Sequence, residues 1–212
     1  MCAAEDRKAF AVIRDTAMVL FGRRGLAAVS IREIAAAAGV SPSLVVHHFG
    51  SKEGLKEAID RRVVDFVDVC LEELAAVGEE SATSSFAELW AQRLEQRPGL
   101  TEYVGRLLVD GGPTAEALFD RLFDATLRGI TGLAGAGVLR TTSDERVLAS
   151  FLLVNDLAVV LLRAQVTRVL RVDPLGEGGL ARWCAVCADV YAHGLLPAPR
   201  SAGSTGERGA KG

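Results

Sequence analysis

Residues 30–50 read SIREIAAAAGVSPSLVVHHFG, and this stretch decides the fold of the chain. Ser30 and Glu33 have the spacing of a capping box, which predicts a short helix that ends at Gly39. Serine and proline at 41–42 suit the N-cap and the first position of a second short helix. Because Gly39 can adopt a positive φ, the pattern predicts two helices that cross closely, as in a helix-turn-helix.

Small and apolar residues occupy the positions where these two helices must approach or pack, namely Ile34, Ala35, Ala38, Val40 and Val45. An ordinary helical hairpin also places glycine at its turn. The turn by itself therefore leaves both interpretations open.

The remainder of the chain also predicts helix, because no run of strict two-residue alternation is present. We predict an all-α fold of about nine helices, three of them small and clustered at the N-terminus. The tail at 197–212 is rich in Gly, Ser, Pro and Ala and is predicted to be disordered. The predicted helices span about 6–23, 31–38, 42–49, 52–77, 85–97, 101–110, 114–134, 142–172 and 180–195.

The net charge of −3 is divided unevenly along the chain. Residues 1–57 carry eight Lys and Arg against six Asp and Glu, a net of +2. Residues 58–212 carry sixteen against twenty-one, a net of −5. This asymmetry places any contact with a polyanion at the N-terminal end.

The composition argues against export, membrane insertion and a disulfide scaffold. Residues 2–14 alternate in charge instead of forming a signal segment, and the most apolar stretch, 148–162, is too short and too polar for a membrane span. We expect a cytoplasmic protein with no membrane partner. Cys184 and Cys187 fit small core residues of a helix better than zinc ligands, since no second pair has the usual spacing.

A wider pattern surrounds the deciding stretch. An amphipathic helix ends in LFGRRG at 20–25, and SIREIA at 30–35, AGVS at 38–41, HHF at 47–49 and SKEGL at 51–55 follow it. In these motifs and their gaps, residues 8–57 resemble the TetR family of transcriptional regulators. The resemblance covers about a quarter of the chain, and the rest agrees with the family in length and helical character.

The resemblance implies a homodimer with one helix-turn-helix per subunit, each placing its second helix in a major groove of double-stranded DNA. The half-sites of a near-palindromic operator would lie about one helical turn, ~34–36 Å, apart. The positions that match DNA-facing positions of the family are Arg32, Ser41, Pro42, Ser43, Leu44, His47, His48 and Lys52.

Two of these positions have a specific expected role, and one neighbour departs from the family. The guanidinium of Arg32 can bridge guanine O6 and N7, and Lys52 suits a phosphate. The family often has tyrosine at the position of Val46, where the hydroxyl reaches a phosphate. Because valine cannot make that bond, either His47 supplies the contact or Val46 touches a thymine methyl group.

The resemblance also implies that two parts of the chain form domains with different functions. Residues 1–57 would form the DNA-binding domain, and residues 58–196 would form the ligand-binding and dimerisation domain. The helices at 142–172 and 180–195 would pair with those of a second subunit. The expected contact residues are Leu152, Val159, Leu162 and Val166 on the first of these helices and Trp183, Val186, Val190 and Tyr191 on the second.

Asp156 is expected to pair with Arg106 or Arg163. The alternative for this polar interruption of the helix is that Asn155 forms a hydrogen bond to a ligand. The candidate cavity walls are Trp90, Tyr103, Leu107, Phe119, Phe123, Phe151 and Asn155; the apolar ones can equally be plain core.

We therefore predict a repressor that a small-molecule ligand, of a kind the sequence does not identify, releases from its operator. The predicted helix at 52–77 would connect the two domains. Two alternatives remain: a helical small-molecule-binding or enzymatic protein whose N-terminal helices are structural, and an activator on the same scaffold. The sequence contains no nucleophile elbow, phosphate loop or paired histidine and carboxylate, so we expect no enzymatic activity, cofactor or metal.

Overall fold

The computed structural model describes residues 3–76, 97, 99–137, 139, 143–176 and 178–193. Within these ranges the chain is helical, without β-strands. The predicted helix at 85–97, apart from its last residue, and the predicted tail at 197–212 lie outside the described residues. The described helices are α1 (Ala3–Arg24), α2 (Ile31–Ala38), α3 (Pro42–Phe49), α4 (Lys52–Ala76), α5 (Leu100–Asp110), α6 (Pro113–Gly135), α7 (Glu145–Leu161), α8 (Arg163–Leu170) and α9 (Gly179–His193).

The first three helices pack on a shared apolar core. Ile13, Ala17 and Phe21 recur at helical spacing on α1 and are almost completely buried. Ile34 of α2 and Val45 of α3 are both 0% exposed and belong to the same cluster. Since burying an isoleucine, valine or phenylalanine stabilises a fold by about 1.5–3 kcal/mol, these three short helices have a core that holds them together.

The long helix α4 connects the N-terminal helices to the rest of the chain. It packs against α1 and α3 on one side and against α6 on the other. Its buried residues, among them Leu55, Val63 and Val67, belong to one continuous core that extends into both parts. The predicted domain boundary between residues 57 and 58 therefore falls inside a continuous helix.

A second connection joins α1 to the start of α5, and it depends on glycine. A Cβ atom added at Gly22 would lie 2.8 Å from the backbone nitrogen of Tyr103. Gly99, which precedes α5, has a φ of +82°, and a Cβ atom there would lie 2.6 Å from Cγ2 of Val19. We call this contact of Val19 and Gly22 with Gly99 and Tyr103 the glycine seam. Its two backbones approach more closely than a larger residue would permit.

Replacing Gly22 with alanine is expected to lower the free energy of unfolding by about 1–2 kcal/mol, because the new methyl group forces the seam apart. Gly132→Ala in α6 is the matched control, since a Cβ atom there meets nothing within 4 Å. The control should instead be stabilised by up to about 1 kcal/mol through higher helix propensity. Urea denaturation measures both variants, and stabilisation of the Gly22 variant as well would contradict the close approach.

Helices α6 and α7 form the core of the C-terminal part. Leu118 and Leu122 of α6 and Ala149 and Leu153 of α7 are buried where the two helices meet. Helix α5 packs on both of them. One helix therefore contacts the N-terminal unit and the C-terminal core together.

The predicted helix at 142–172 is wrong in one respect: it is two helices. Helix α7 ends at Leu161 and α8 begins at Arg163, and their axes differ in direction by 74°. Arg163 forms a bidentate ion pair with Asp173 beyond α8, which raises the pKa of the guanidinium and lowers that of the carboxyl group. This pair favours the bend by holding the loop against the start of α8. No glycine or proline at the break signalled it in the sequence.

Two further features of the described residues bear on what the chain can do. No single helix among them is long and apolar enough to cross a membrane; only α7 and α8 taken together, with their bend, reach that length and composition. No group of three or more His, Cys, Asp or Glu in these residues is arranged to hold a metal ion. Cys184 and Cys187 are half-buried on α9 as thiols.

Candidate nucleic-acid interface

The start of α2 is fixed by the capping box that the sequence predicts. Ser30 Oγ accepts a hydrogen bond from the Glu33 backbone nitrogen at 3.2 Å, and the Glu33 carboxylate accepts one from the Ser30 backbone nitrogen at 2.8 Å. Arg24 Nη1 donates to the other carboxylate oxygen at 2.9 Å. These hydrogen bonds, the backbone one foremost, lower the pKa of Glu33 to about 2. Arg32 thus projects into solvent from an anchored first turn.

The turn between α2 and α3 has the geometry that its sequence requires. Gly39 has a φ of +68°, and its backbone nitrogen donates to the carbonyl of Ala36 at 3.3 Å. The Val40 nitrogen donates to the carbonyl of Ala35 at 2.9 Å, which completes a Schellman motif. Ala35 is 0% exposed, so a larger side chain would separate the helices.

Helix α3 has one face turned inward and one outward. Ser41 Oγ accepts a hydrogen bond from the Leu44 nitrogen at 3.2 Å and caps the helix. Val45 and Phe49 are buried, while Leu44 is half-buried. Together with Arg32, the exposed residues form what we call the recognition face: Arg32, Pro42, Ser43, Val46 and His47.

The recognition face combines the chemistry needed to read base edges. A helix fits the major groove of B-DNA, which is about 12 Å wide. Arg32 supplies a fork of donors, and within the described part of the chain it forms no ion pair that would occupy it. Ser43 and His47 can donate or accept hydrogen bonds, while Val46 offers an apolar contact.

Tyr103 contacts α4 through its side chain and α1 through its backbone. The Tyr103 hydroxyl donates to Asp60 Oδ1 at 2.6 Å, and Lys56 Nζ donates to Asp60 Oδ2. Burial first, and then this hydrogen bond, raise the pKa of Tyr103 above its usual value. Because Asp60 is on α4 and Tyr103 also lies in the glycine seam, this residue links α5 to both α4 and α1.

A cavity of about 680 Å³ lies at the junction of the end of α5, the start of α6 and the end of α7. Its lining includes Leu108, Phe119 and Leu157, and it is mostly apolar. We call it the main cavity. A second cavity of about 40 Å³ lies beside Tyr103 and Leu107. Only the larger one has the volume that a small organic ligand requires.

Two family models match the chain in succession. The model described as bacterial regulatory proteins of the tetR family matches residues 13–59, and the tetracyclin repressor-like C-terminal domain matches residues 95–197. The HTH-type transcriptional regulatory protein RaaS of Mycobacterium tuberculosis is 35% identical over 150 residues, which are 71% of this chain and 68% of RaaS. The chain belongs to the TetR family.

Solved structures agree with this membership in their fold. AibR, solved with isovaleryl coenzyme A and operator DNA, has a TM-score of 0.66 at 19% identity, over 86% of this chain and 97% of that one. A gamma-butyrolactone receptor described as ArpA-like has a TM-score of 0.64 at 22% identity, over 88% and 97%. Both confirm the N-terminal helix-turn-helix followed by a C-terminal helical domain.

Membership of the TetR family makes this chain a DNA-binding transcriptional regulator, as the motifs predicted. The relatives that match it are transcriptional regulators. The alternative of a helical binding protein or enzyme with merely structural N-terminal helices is therefore not favoured.

The structure corrects the expectation for His48. Its side chain is only 6% exposed, and its ring lies edge-on to Phe10 of α1 with centroids 5.9 Å apart. Its Nε2 is 3.6 Å from Asp6 Oδ1 and has no hydrogen-bond partner among the described residues. His48 points towards α1 because it is one residue from the buried Phe49, and this orientation keeps it off the recognition face.

Lys52 is the second correction, because its amine is bound within the protein. Lys52 Nζ donates to the carbonyls of Leu26 and Val29 at 3.0 and 3.2 Å. These carbonyls belong to the loop between α1 and α2, which has no helical partners for them. The first residue of α4 thus holds this loop, instead of presenting its charge to a phosphate.

Replacing Lys52 with alanine is expected to lower the free energy of unfolding by about 1–2 kcal/mol, because two partly buried carbonyls lose a charged donor. The salt dependence of operator binding should remain unchanged. Urea denaturation and binding titrations over a salt series measure the two effects, with Lys8→Ala at an exposed position of α1 as the control. If the stability is unchanged and the slope of log affinity against log salt concentration becomes shallower by about one, Lys52 contacts a phosphate.

Four of the seven predicted ligand residues lie within the core around the cavities. Phe119 lines the main cavity, while Tyr103 and Leu107 line the smaller one. The Phe123 ring lies under the guanidinium of Arg146, 4.8 Å from its centroid. Phe119 is thus the predicted residue that the structure places at the main cavity.

Two further predicted ligand residues, Phe151 and Asn155, are absent from the described lining of the main cavity. Phe151 is 62% exposed, and Asn155 donates to the Tyr191 hydroxyl of α9 at 3.0 Å. Neither is among the residues that α7 and its C-cap contribute to that lining, which are Val154, Leu157, Ala158, Leu161 and Leu162. Trp90 lies outside the described residues.

Asp156 does not have the arginine partner expected for it. Arg106 pairs with Asp110 at 3.1 Å, and Arg163 pairs with Asp173. Burial without a compensating cation raises the pKa of Asp156 to about 6. The position therefore carries an unfavourable charge at neutral pH.

Replacing Asp156 with asparagine is expected to raise the free energy of unfolding at pH 8 by on the order of 2 kcal/mol. The raised folded-state pKa means that the protonated carboxyl group stabilises the fold below pH 3.8, and that this contribution is lost as pH rises through about 6. At pH 4 the substitution should have little effect. Denaturation at pH 4 and at pH 8 measures this difference. The control, Asp65→Asn at an exposed position of α4, should leave the free energy of unfolding unchanged at both pH values. Equal effects at the two pH values would contradict a titrating Asp156.

Proposed function

We propose that this TetR-family chain is a homodimeric repressor whose affinity for a near-palindromic operator falls when a small molecule fills the main cavity. One observation carries the proposal. The end of α5 lines the main cavity at Leu108, and the start of the same helix forms the glycine seam with α1. A helix of 11 residues therefore connects the ligand space directly to the DNA-binding unit.

A displacement of α5 is transmitted to α1 because the two helices are in close contact at the glycine seam. A ligand that displaces the end of α5 also displaces α1, since Gly22 leaves no gap at the seam. The bond from Tyr103 to Asp60 carries the same displacement to α4. Ile13, Ile34 and Val45 pack α1, α2 and α3 tightly against one another, so a displacement of α1 carries the other two helices with it. A ligand that favours the displaced state would lower operator affinity by about 5–150-fold, the usual range of such coupling.

The named partners of similar structures support a role for both DNA and ligand. AibR was solved with isovaleryl coenzyme A and operator DNA together, and the ArpA-like protein is described as a receptor for gamma-butyrolactone. The structure of the present chain adds a cavity of adequate volume at a helix that touches α1. Repression released by a ligand is the function that joins these features.

The proposed dimer forms through α7 and α9. On α7, Val147, Phe151 and Val154 follow one another at helical spacing and are 63%, 62% and 55% exposed. We call these three residues the apolar stripe; its last residue, Val154, also lies at the edge of the main cavity. Val186 and Tyr191 of α9 are exposed by 60% and 50% and extend the apolar surface. A second subunit that presents the same surface would bury it in a four-helix bundle.

This surface differs from the row that the periodicity first indicated. Leu152, Val159, Leu162 and Val166 were the expected contact residues, but Val159 is 2% exposed and belongs to the core of a single subunit. The bend after Leu161 also moves Val166 onto α8. Phe151, first expected at a ligand, is instead the centre of the proposed contact.

The DNA contacts proposed for each subunit come from α2 and α3. Arg32 would read guanine, and Ser43 and Leu44 would contact base edges. The major groove would also be lined by Pro42, by His47 and by Ser41 at the capped end of α3. Val46 would contact a thymine methyl group.

Binding to the DNA immediately upstream of the chain's own coding sequence tests the function. Fluorescence anisotropy at moderate salt should show binding of two subunits to a near-palindromic segment, with a scrambled segment of equal length as control. A reporter gene downstream of that segment should be expressed less when the protein is present. No sequence-specific binding in any ligand state would overturn the proposal.

A further inference from the structure

The main cavity has an unusual combination of linings. Of the thirteen described residues that line it, nine have apolar side chains and two are glycines. The remaining two are Glu116 and Asp120 of α6. Both acidic residues are exposed, so their carboxylates lie at the open rim of an otherwise apolar space. The described lining contains no basic side chain.

These two carboxylates are close to each other and uncompensated. They are four residues apart on α6, so they share one face of the helix, where like charges repel. Among the described residues neither forms an ion pair. Nearby arginines of α5, α6 and α8 are paired with other acids: Arg106 with Asp110, Arg121 with Asp68, and Arg163 with Asp173.

The start of α6 does not reverse this charge. A helix N-terminus carries roughly half a positive charge, whereas the two carboxylates together carry about two negative charges. Glu116 already lies in the first turn, where it meets the helix dipole, and Pro113 has no N–H to offer. The described residues therefore make the field at this rim negative, which disfavours an anionic ligand there.

We propose that the main cavity binds a lipophilic cation, with its apolar body among the aliphatic side chains and its charge beside Glu116 and Asp120. This inference rests on the proposed function in taking the cavity as the effector site, and it adds the chemical class of the effector. An anionic effector would be repelled by the two carboxylates, and a neutral effector could gain only hydrogen bonds from them. A cation relieves their repulsion and fills a space of about 680 Å³ with apolar surface.

A pair of ions with one shape and opposite charge tests the proposal. Calorimetric titration of the full chain with tetraphenylphosphonium and with tetraphenylborate, in the absence of DNA, separates charge from apolar burial. We expect the phosphonium to bind at least about 10-fold more tightly than the borate. The double variant E116Q/D120N should reduce this preference about 10-fold or more, while D124N, an exposed acid of α6 outside the lining, should retain it.

Each other outcome overturns the inference in a distinguishable way. Equal binding of the two ions, tighter binding of the borate or no binding of either would exclude a cation site. A changed dimer dissociation constant of E116Q/D120N in sedimentation, with neither ion bound, would show that a second copy of the chain covers the groove instead. Failure of the proposed function would appear separately, as loss of specific operator binding in the DNA titration.

Discussion

Replacing Phe151 with glutamate is expected to convert the dimer into monomers and to weaken operator binding by at least about 100-fold. Phe151 is 62% exposed in the single subunit, so the substitution leaves the fold of that subunit intact. In the proposed dimer the new carboxylate would be buried against the partner's apolar stripe without a cation. Each monomer then binds one half-site alone, so binding loses the gain in affinity of about 10²–10⁴ that linking the two contacts provides.

Sedimentation velocity and operator titration measure the two effects of this substitution. Val169→Glu is the matched control, because Val169 is 68% exposed on α8, away from the apolar stripe. The control should stay dimeric and bind the operator normally. A dimeric Phe151 variant would exclude the stripe as the interface, and a monomeric variant with full operator affinity would contradict the dimeric repressor.

Replacing Arg32 with alanine is expected to weaken binding to the specific operator by about 10–100-fold, while binding to unrelated DNA changes far less. A bidentate contact to guanine contributes about 1–3 kcal/mol to discrimination against the wrong base. Alanine suits a helix interior, and Arg32 is exposed, so the fold of α2 should not change.

Anisotropy titrations with the operator and with a scrambled duplex, at one fixed salt concentration, measure this loss of specificity. Arg62→Ala provides the control, because it removes an exposed arginine of α4 outside the recognition face. It should alter operator affinity by less than about twofold. A folded, dimeric Arg32 variant that binds the operator as tightly as the original chain would refute the assigned role.

The features that the sequence predicted correctly are those that form within a few residues. The capping box of Ser30 and Glu33, the positive φ of Gly39 and the Ser41 cap all depend on fixed spacings along the chain. A local geometry of this kind is encoded by residue type and separation, so the helix-turn-helix could be placed to within a residue. The family followed from the same local motifs.

The features that the sequence could not predict depend on contacts between distant segments. The amine of Lys52 binds carbonyls more than twenty residues earlier, and His48 turns towards α1. Neither orientation changes the pattern of apolar and polar residues along the helices. Because a long side chain can point in several directions, the sequence does not reveal which one it adopts. The sequence did contain a partial signal that Asp60 is a buried, paired acid. It follows Ile59, which is buried, and lies one helical turn after Lys56, with which it forms an ion pair.

The bend after α7 was missed for a related reason. The pairing of Arg163 with Asp173, which favours the bend, is a contact that periodicity cannot detect. The bend places Val166 on α8, and Val159 is buried within the single subunit, so the row expected on one long helix is not a continuous exposed face. The N-terminal unit, by contrast, was predicted from local motifs.

The separation between the recognition face and the residues that hold α2 and α3 together has a consequence for divergence. Caps, turn and core use Ser30, Glu33, Gly39 and Val45, none of which lies on that face. If the recognition face reads the operator as proposed, substitutions at its positions other than Pro42, which begins α3, can change the operator that is read without disturbing the scaffold. A duplicated gene could acquire a new target in this way, and a library varied at only those positions could be selected for a chosen one.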